Sequence, residues 1–274
     1  MSINFFQGLL YGFISGITEF LPISSQAHQA LLLRMFGMSQ RDPVLDFVVH
    51  GVLLTVLFYA VNNTINQMKR SRAGGARYDR HGSASVMSLY LIRKAALPLV
   101  LAMLLLFYIL KGNDNLLYTA VFLLINGLIL FLPSRLTQGN KDARSMSQLD
   151  SVLLGIFGAF GTISGISRIA ATTSFLIGRG ADRQHALNWS LMLGVYALVL
   201  LVGYDLVAIF TSIMQIPLWS NFFSYVSAAA GAFCGGNIGI RFIRALIKQS
   251  SLSNFAFYSW GLALLTFFIY LTVV

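Results

Sequence analysis

The sequence predicts an all-α polytopic membrane protein, with six full transmembrane spans plus two re-entrant helical hairpins in an inverted-topology repeat. Three observations predict it. Hydrophobic residues make up 57% of the 274 and charged residues only 10%, against about 25% charged in a soluble domain, so water is not the main solvent. The apolar runs are long and continuous rather than alternating with period two, which selects helices over a barrel. The basic residues crowd into a few inter-helix loops, which orients the chain.

The first apolar stretch, residues 4–36, is broken midway by Thr18-Glu19-Phe20-Leu21-Pro22-Ile23-Ser24-Ser25. Full spans follow at 44–68, 86–111 and 116–134. A second interrupted stretch, 149–178, carries Gly161-Thr162-Ile163-Ser164-Gly165-Ile166-Ser167-Arg168. Spans at 186–213, 221–243 and 253–273 complete the chain. Trp189, Trp219, Tyr258 and Trp260 sit near span ends, as an interfacial aromatic belt does. Glycines at 161–165 serve the break, and those around 231–239 serve close helix packing.

Loop charge fixes the orientation. Residues 69–94 hold Lys69, Arg70, Arg72, Arg77, Arg80, Arg93 and Lys94; residues 135–144 hold Arg135, Lys141 and Arg144; residues 241–248 hold Arg241, Arg244 and Lys248. All three are predicted cytoplasmic. The uncharged loop 214–220, and 112–115 with only Asp114 beside Lys111, are predicted external. The stretch 149–178 must then start and end on the cytoplasmic side, and 4–36 outside. Each reads as a hairpin whose break lies at membrane depth. Residues 1–140 form the first repeat and 145–274 the second, inverted one. An offset of 143 residues pairs Leu10 with Leu153, Gly12 with Gly155, Ile23 with Ile166, Ser24 with Ser167 and Ala27 with Ala170.

The net charge of +10 belongs to these loops, so no nucleic-acid partner is expected. The single cysteine, Cys234, excludes a disulfide framework and a thiolate metal site. The start, Met1 to Phe13, lacks a basic n-region and a cleavage site, so no removable signal peptide is expected. Membrane and lipid are the expected surroundings, and a homo-oligomer stays open.

Broken helices at membrane depth must face protein or a wet cavity. They also bring half-helix N-termini, with free N–H groups, to the midplane, where two of them make a site for an anion. Glu19 is the most informative acid, since a carboxylate mid-span costs about 2.5–3.5 kcal/mol and needs a partner. It reads as a metal ligand or general base, or as a helix cap or buried structural pair. Arg168 reads as a two-pronged phosphate clamp, or as a salt bridge to Glu19; the two are compatible. Ser24, Ser25, Ser167, Thr172 and Thr173 put hydroxyls around both breaks, although membrane hydroxyls commonly bond the preceding turn. His28 lies one turn after Ser24 and Ser25, within reach of either. His50, following Asp46 at a span start, is a weaker candidate. Asp182 and Arg183 read as a helix-start cap and a surface charge.

The run Gly12-Phe13-Ile14-Ser15-Gly16-Ile17-Thr18-Glu19-Phe20-Leu21-Pro22-Ile23-Ser24-Ser25-Gln26-Ala27-His28 resembles the EGxTEFLPxSSxGH signature of the bacterial undecaprenyl-diphosphatase family, the bacitracin-resistance proteins. Gly165-Ile166-Ser167-Arg168-Ile169-Ala170-Ala171-Thr172 resembles that family's PGxSRSGxT element. Weaker echoes run from Asp46 to His50, Gly180 to Ser190 and Phe255 to Gly261. The resemblance implies dephosphorylation of undecaprenyl diphosphate to undecaprenyl phosphate in the bacterial plasma membrane, recycling the lipid carrier for cell-wall synthesis. The alternative is a transporter or flippase that binds a polyprenyl phosphate without cleaving it. A divalent cation, magnesium or calcium, is implied, with Glu19 as its ligand. The resemblance assigns catalytic roles to Glu19, Ser25, His28 and Arg168, and substrate binding to Ser24, Gln26, Ser167 and Thr172. By that resemblance Ser25 is the candidate nucleophile or a phosphate ligand, His28 an acid/base or phosphate-contacting group and Arg168 the diphosphate clamp. This sequence departs from the pattern at Ser15, where the motif has its first glutamate, and losing that carboxylate weakens metal binding and general-base chemistry. Other departures are Gln26, Ala27, Ser164, Ile169, Ala170 and Ser259.

Overall fold

The computed structural model describes residues 3–38, 41–73, 80–110, 115–136, 139–141, 145–212, 221–249 and 252–273. The loop residues Arg77, Lys111, Asp114 and Arg144, the uncharged loop 214–220 and the belt residue Trp219 lie outside the described residues. Among the described residues ten α-helices follow in order: α1 Phe5–Glu19, α2 Ser25–Met35, α3 Pro43–Ala73, α4 Arg80–Leu110, α5 Leu116–Ser134, α6 Gln148–Ala159, α7 Arg168–Gly178, α8 Arg183–Ser212, α9 Phe222–Gln249 and α10 Ser253–Val273. Six of them, α3, α4, α5, α8, α9 and α10, are long and apolar enough to cross a membrane. The predicted spans 44–68 to 253–273 therefore each find their helix.

Two boundaries differ. The basic stretch 69–94, read as a loop, is mostly helical, because α3 continues to Ala73 and α4 starts at Arg80, and the basic stretch 241–248 is helical throughout, because α9 continues to Gln249. Apolar composition measures how far a helix is comfortable in lipid, whereas backbone hydrogen bonding continues past the bilayer into water.

The interrupted stretches become two pairs of short helices. Both pairs open with a capping box: Asn4 with Gln7 at α1, and Ser147 with Asp150 at α6. Each box satisfies two of the orphan amides that a helix start leaves. At the second pair, Asp150 Oδ1 also receives Arg179 Nε at 2.6 Å, tying the beginning of α6 to the end of α7. At the first, α9 holds both ends. Ser224 Oγ donates to the Ile3 carbonyl at 2.5 Å, and Tyr225 Oη donates to Asp42, just before α3, at 2.8 Å.

Packing follows small residues. Gly8, Gly12 and Gly16 of α1 face Ser224, Ala228 and Ala232 of α9, while Gly231, Gly235 and Gly239 of α9 face Leu9, Phe13 and Ile17. A Cβ at Gly12 would run into the Ala228 carbonyl, and one at Gly235 into that of Phe13. This stripe on each helix lets the two backbones touch, which is how helices associate where no hydrophobic drive separates them from lipid. The glycines at 231–239 were expected to pack closely; their partners on α1 were not. On the other side α6 lies on α4, with Gly155 against the Ala95 carbonyl. The pairs α3 with α8 and α5 with α10 complete the bundle.

Candidate functional site

The chain between α1 and α2 must turn without a helix, and Phe20 to Ser24 do it. Ser24 sits at φ 51°, the only described non-glycine residue with positive φ, and caps α2 by accepting from the Ala27 amide. After α6 a short 3-10 turn, Phe160–Thr162, leads to Gly165 at φ +106°, where L side chains are strained. Ser167 then caps α7 by accepting from the Ala170 amide.

The two breaks are stitched to each other. Ser24 Oγ accepts from the Gly165 amide at 3.1 Å, and Ser167 Oγ donates to the Leu21 carbonyl at 3.1 Å. Asn126, fully buried on α5, joins both. Its Oδ1 accepts from the Ser167 amide at 2.9 Å, while Nδ2 donates to the Pro22 carbonyl at 3.1 Å and Ser259 Oγ at 3.0 Å. Buried non-helical backbone has no water to bond, so these crossings supply its partners.

The stitching sets the starts of α2 and α7 side by side. Arg168, the first residue of α7, donates from Nη2 to Glu19 Oε1 at 2.6 Å. Glu19 Oε2 accepts from Ser25 Oγ at 2.6 Å. Arg168 Nη1 reaches the Gly194 carbonyl at 3.4 Å, and Nε, fully buried, has no hydrogen-bond partner. A buried guanidinium N–H without an acceptor is costly. The cavity here, lined by Thr18, Glu19, Ser25, Gln26, Ser167 and Arg168, is only about 20 Å³. It holds one water-sized group.

Five of the eight predicted site residues therefore meet here: Glu19, Ser25, Gln26, Ser167 and Arg168 line one cavity. Ser24 serves from behind as cap and stitch. Thr172 spends its hydroxyl on the Arg168 carbonyl at 2.7 Å and lies outside the lining. His28 does not reach Glu19 or the Ser25 hydroxyl. Its Nδ1 bonds the Ser24 carbonyl at 2.8 Å and its Nε2 the Tyr258 hydroxyl at 2.8 Å. The ring lines a separate apolar cavity of about 540 Å³ between α1, α9 and α10. Sequence reasoning missed Asn126 and Asp205. Asp205 is 6% exposed on α8 and bonds His50 Nδ1 at 2.6 Å. An acid inside an apolar span was the signal for it.

The model of the bacitracin resistance protein BacA family matches residues 8–265. The chain belongs to that family. A relative from Thermodesulfovibrio yellowstonii, named undecaprenyl-diphosphatase, is 28% identical over 270 residues, 97% of either chain. Undecaprenyl-diphosphatase 1 of Shouchella clausii is 27% identical and the undecaprenyl-diphosphatase of Carboxydothermus hydrogenoformans 26%, over 95% and 94% of each chain. Six apolar helices and these bacterial relatives make this a multi-pass protein of the bacterial plasma membrane.

Within that family frame, two departures acquire structural context. Ser15 is fully buried and accepts from Gln29 Nε2 at 3.2 Å, while Gln29 Oε1 accepts from Arg41 at 3.1 Å. Ser259, where the motif has an arginine, is likewise buried and completes the Asn126 stitch. Among the described residues no group of three or more His, Cys, Asp or Glu gathers to hold a metal. What the site offers a hard cation is oxygen: the Glu19 carboxylate and the Ser25 hydroxyl.

Proposed function

We propose that this protein removes the terminal phosphate of undecaprenyl diphosphate, leaving undecaprenyl phosphate and recycling the lipid carrier for cell-wall synthesis. The family and its relatives' names support hydrolysis, and they do not favour the transporter alternative. The observation that carries the reading at residue level is the Ser25–Glu19–Arg168 chain. A serine hydroxyl, a carboxylate at 2.6 Å and an arginine with its Nε uncommitted meet at two helix starts.

In this reading the diphosphate takes Arg168 from Glu19. The guanidinium clamps phosphate oxygens, and the starts of α2 and α7 add their amides and dipoles. Glu19 Oε2 accepts the Ser25 proton as Ser25 Oγ attacks the terminal phosphorus, and the lipid monophosphate leaves with the bridging oxygen. Glu19 Oε1, once free of Arg168, would hold a magnesium or calcium ion. Such an ion, when bound, supplies charge neutralisation on the phosphates. Gln26 and Ser167 are substrate-contacting groups. His28 and Thr172 act on the walls: Thr172 holds the first turn of α7, and His28 with Tyr258 borders the apolar cavity, which suits the first prenyl units. Ser15 leaves the site with one carboxylate and a slower turnover than a pair supports.

The inverted repeat belongs to the same proposal. The predicted offset of 143 residues carries the Asn4–Gln7 box to Ser147–Asp150 and the Ser24 cap to Ser167. Packing is reciprocal: α1 lies on α9 as α6 lies on α4, and α3–α8 and α5–α10 pair across the axis. Both short pairs have their two ends tied together, as re-entrant hairpins do. With basic segments inside, the vestibule above Glu19, lined by Arg41, Asp46, Tyr118 and Asp205, opens outward.

The deciding experiment is phosphate release from undecaprenyl diphosphate by purified protein in detergent with magnesium or calcium. Metal-dependent release that disappears in Arg168→Ala and Glu19→Gln is expected. Lipid bound by wild type without any release would overturn the proposal.

A further inference from the structure

A serine-linked phosphate must be discharged by water, and that water needs a base. Glu19 already holds the proton taken from Ser25, and His28 faces the apolar cavity. His50 is placed differently. It lies on α3 and lines both the inner cavity with Glu19, Ser25 and Arg168 and the outer vestibule of about 360 Å³. Asp205 Oδ2, from α8, holds its Nδ1 at 2.6 Å, and both side chains are only 9% exposed. A carboxylate on one ring nitrogen fixes the tautomer and the ring, and leaves Nε2 as the nitrogen that can take a proton from the cavity.

We infer that His50, positioned by Asp205, is the base that activates the hydrolytic water. This rests on the phosphatase reading above. Water gives a proton to His50 Nε2 as its oxygen bonds to the phosphorus. The phosphorus–Ser25 bond breaks, its electron pair stays on Oγ, and Oγ recovers its proton from Glu19. Inorganic phosphate departs, and the proton on His50 passes to solvent in the vestibule. Nothing beyond water and the phosphoserine is consumed.

The titratable and charged groups that line these cavities with His50 are Asp205 and Tyr204 of α8, Asp46 of its own helix, Glu19 of α1, Arg168 of α7 and Tyr118 of α5, with Arg41 in the vestibule. Asp46 itself accepts from Tyr11 Oη at 2.6 Å and lies 3.8 Å from Arg41. These groups remain in a His50→Gln protein, so an acidic limb of the pH–rate profile that vanishes with His50 belongs to His50.

The test follows undecaprenyl diphosphate carrying a labelled terminal phosphate. Wild type turns over and shows little label on protein after acid quench. His50→Gln is expected to slow steady release about 100-fold, to accumulate label on Ser25, and to lose the acidic limb. His50→Ala should regain rate with added imidazole, and Asp205→Asn should fall in kcat with KM little changed. A His50→Gln enzyme within twofold of wild type would overturn the inference, as would a slow one with neither trapped label nor imidazole rescue. A wild type that releases no phosphate sinks the phosphatase reading itself, and is thereby told apart.

Discussion

Ser24 and Ser167 perform the same local task, each capping the half-helix that follows and each reaching across to the other break. Their breaks nevertheless carry different cargo. The first brings an acid and a nucleophilic hydroxyl, Glu19 and Ser25; the second brings one cation, Arg168. The first is also the strained one, with Ser24 at φ 51°, whereas Ser167 sits at a relaxed φ of −90° and the second break places its positive φ on Gly165. Two similarly capped helix starts thus carry opposite charges. Like charges at both starts would repel; opposite ones form the Arg168–Glu19 bridge.

The largest effect comes from removing that asymmetry. Arg168→Ala leaves Glu19 buried without its cation and the diphosphate without its clamp. Phosphate release should fall by about 10³-fold or more, the range for losing a preorganised charge at a transition state. Arg168→Lys should recover only part of it, because a point charge does not reproduce the bidentate fork. Equal rates for the lysine and wild-type proteins would show that simple charge suffices.

Next is the frame that carries the first break. Gly235→Leu drives a side chain into the Phe13 carbonyl across the α1–α9 contact, and overpacking of this kind costs about 1–3 kcal/mol or more. The melting temperature in detergent should drop clearly. The same change at Gly203, where nothing lies within 4 Å of an added Cβ, should leave it unaltered.

Asn126→Ala strikes both breaks at once. It orphans the Ser167 amide and the Pro22 carbonyl, each costing about 1–3 kcal/mol when buried unpaired. Activity should fall with stability, and KM should rise because the two helix starts lose their register. A stability loss with unchanged KM would mean that the remaining stitches, Ser24 to Gly165 and Ser167 to Leu21, hold the register alone.

How much of this could be read beforehand follows from where the information lies. The breaks, the six spans, Glu19 and Arg168 were legible because apolar runs and intramembrane charges are local features. Asn126 was not, since an amide in an apolar helix says nothing of partners more than a hundred residues away in either direction. The direction of His28 was equally hidden. Spacing along the helix placed it near the Ser25 hydroxyl, but Tyr258 on α10 and the Ser24 carbonyl claim both of its nitrogens. Asp205 was legible in principle as a lone acid in a span; its meaning needed His50 beside it.

The smallest expected effect tests the strain difference between the breaks. Replacing Ser167 by alanine removes a cap and its hydroxyl bond, costing about 1 kcal/mol, whereas a glycine cap should cost only about a few tenths. At Ser24 the same pair of changes should separate more widely. Alanine loses both the cap and the bond from Gly165 while keeping a Cβ at positive φ. Glycine loses the same bonds but relieves that conformation, a gain of about 1–2 kcal/mol. The alanine-to-glycine gap in unfolding free energy should therefore be larger at Ser24 than at Ser167 by about 1 kcal/mol. Equal gaps would mean that the first break carries no more backbone strain than the second, and that the two differ only in the side chains they present.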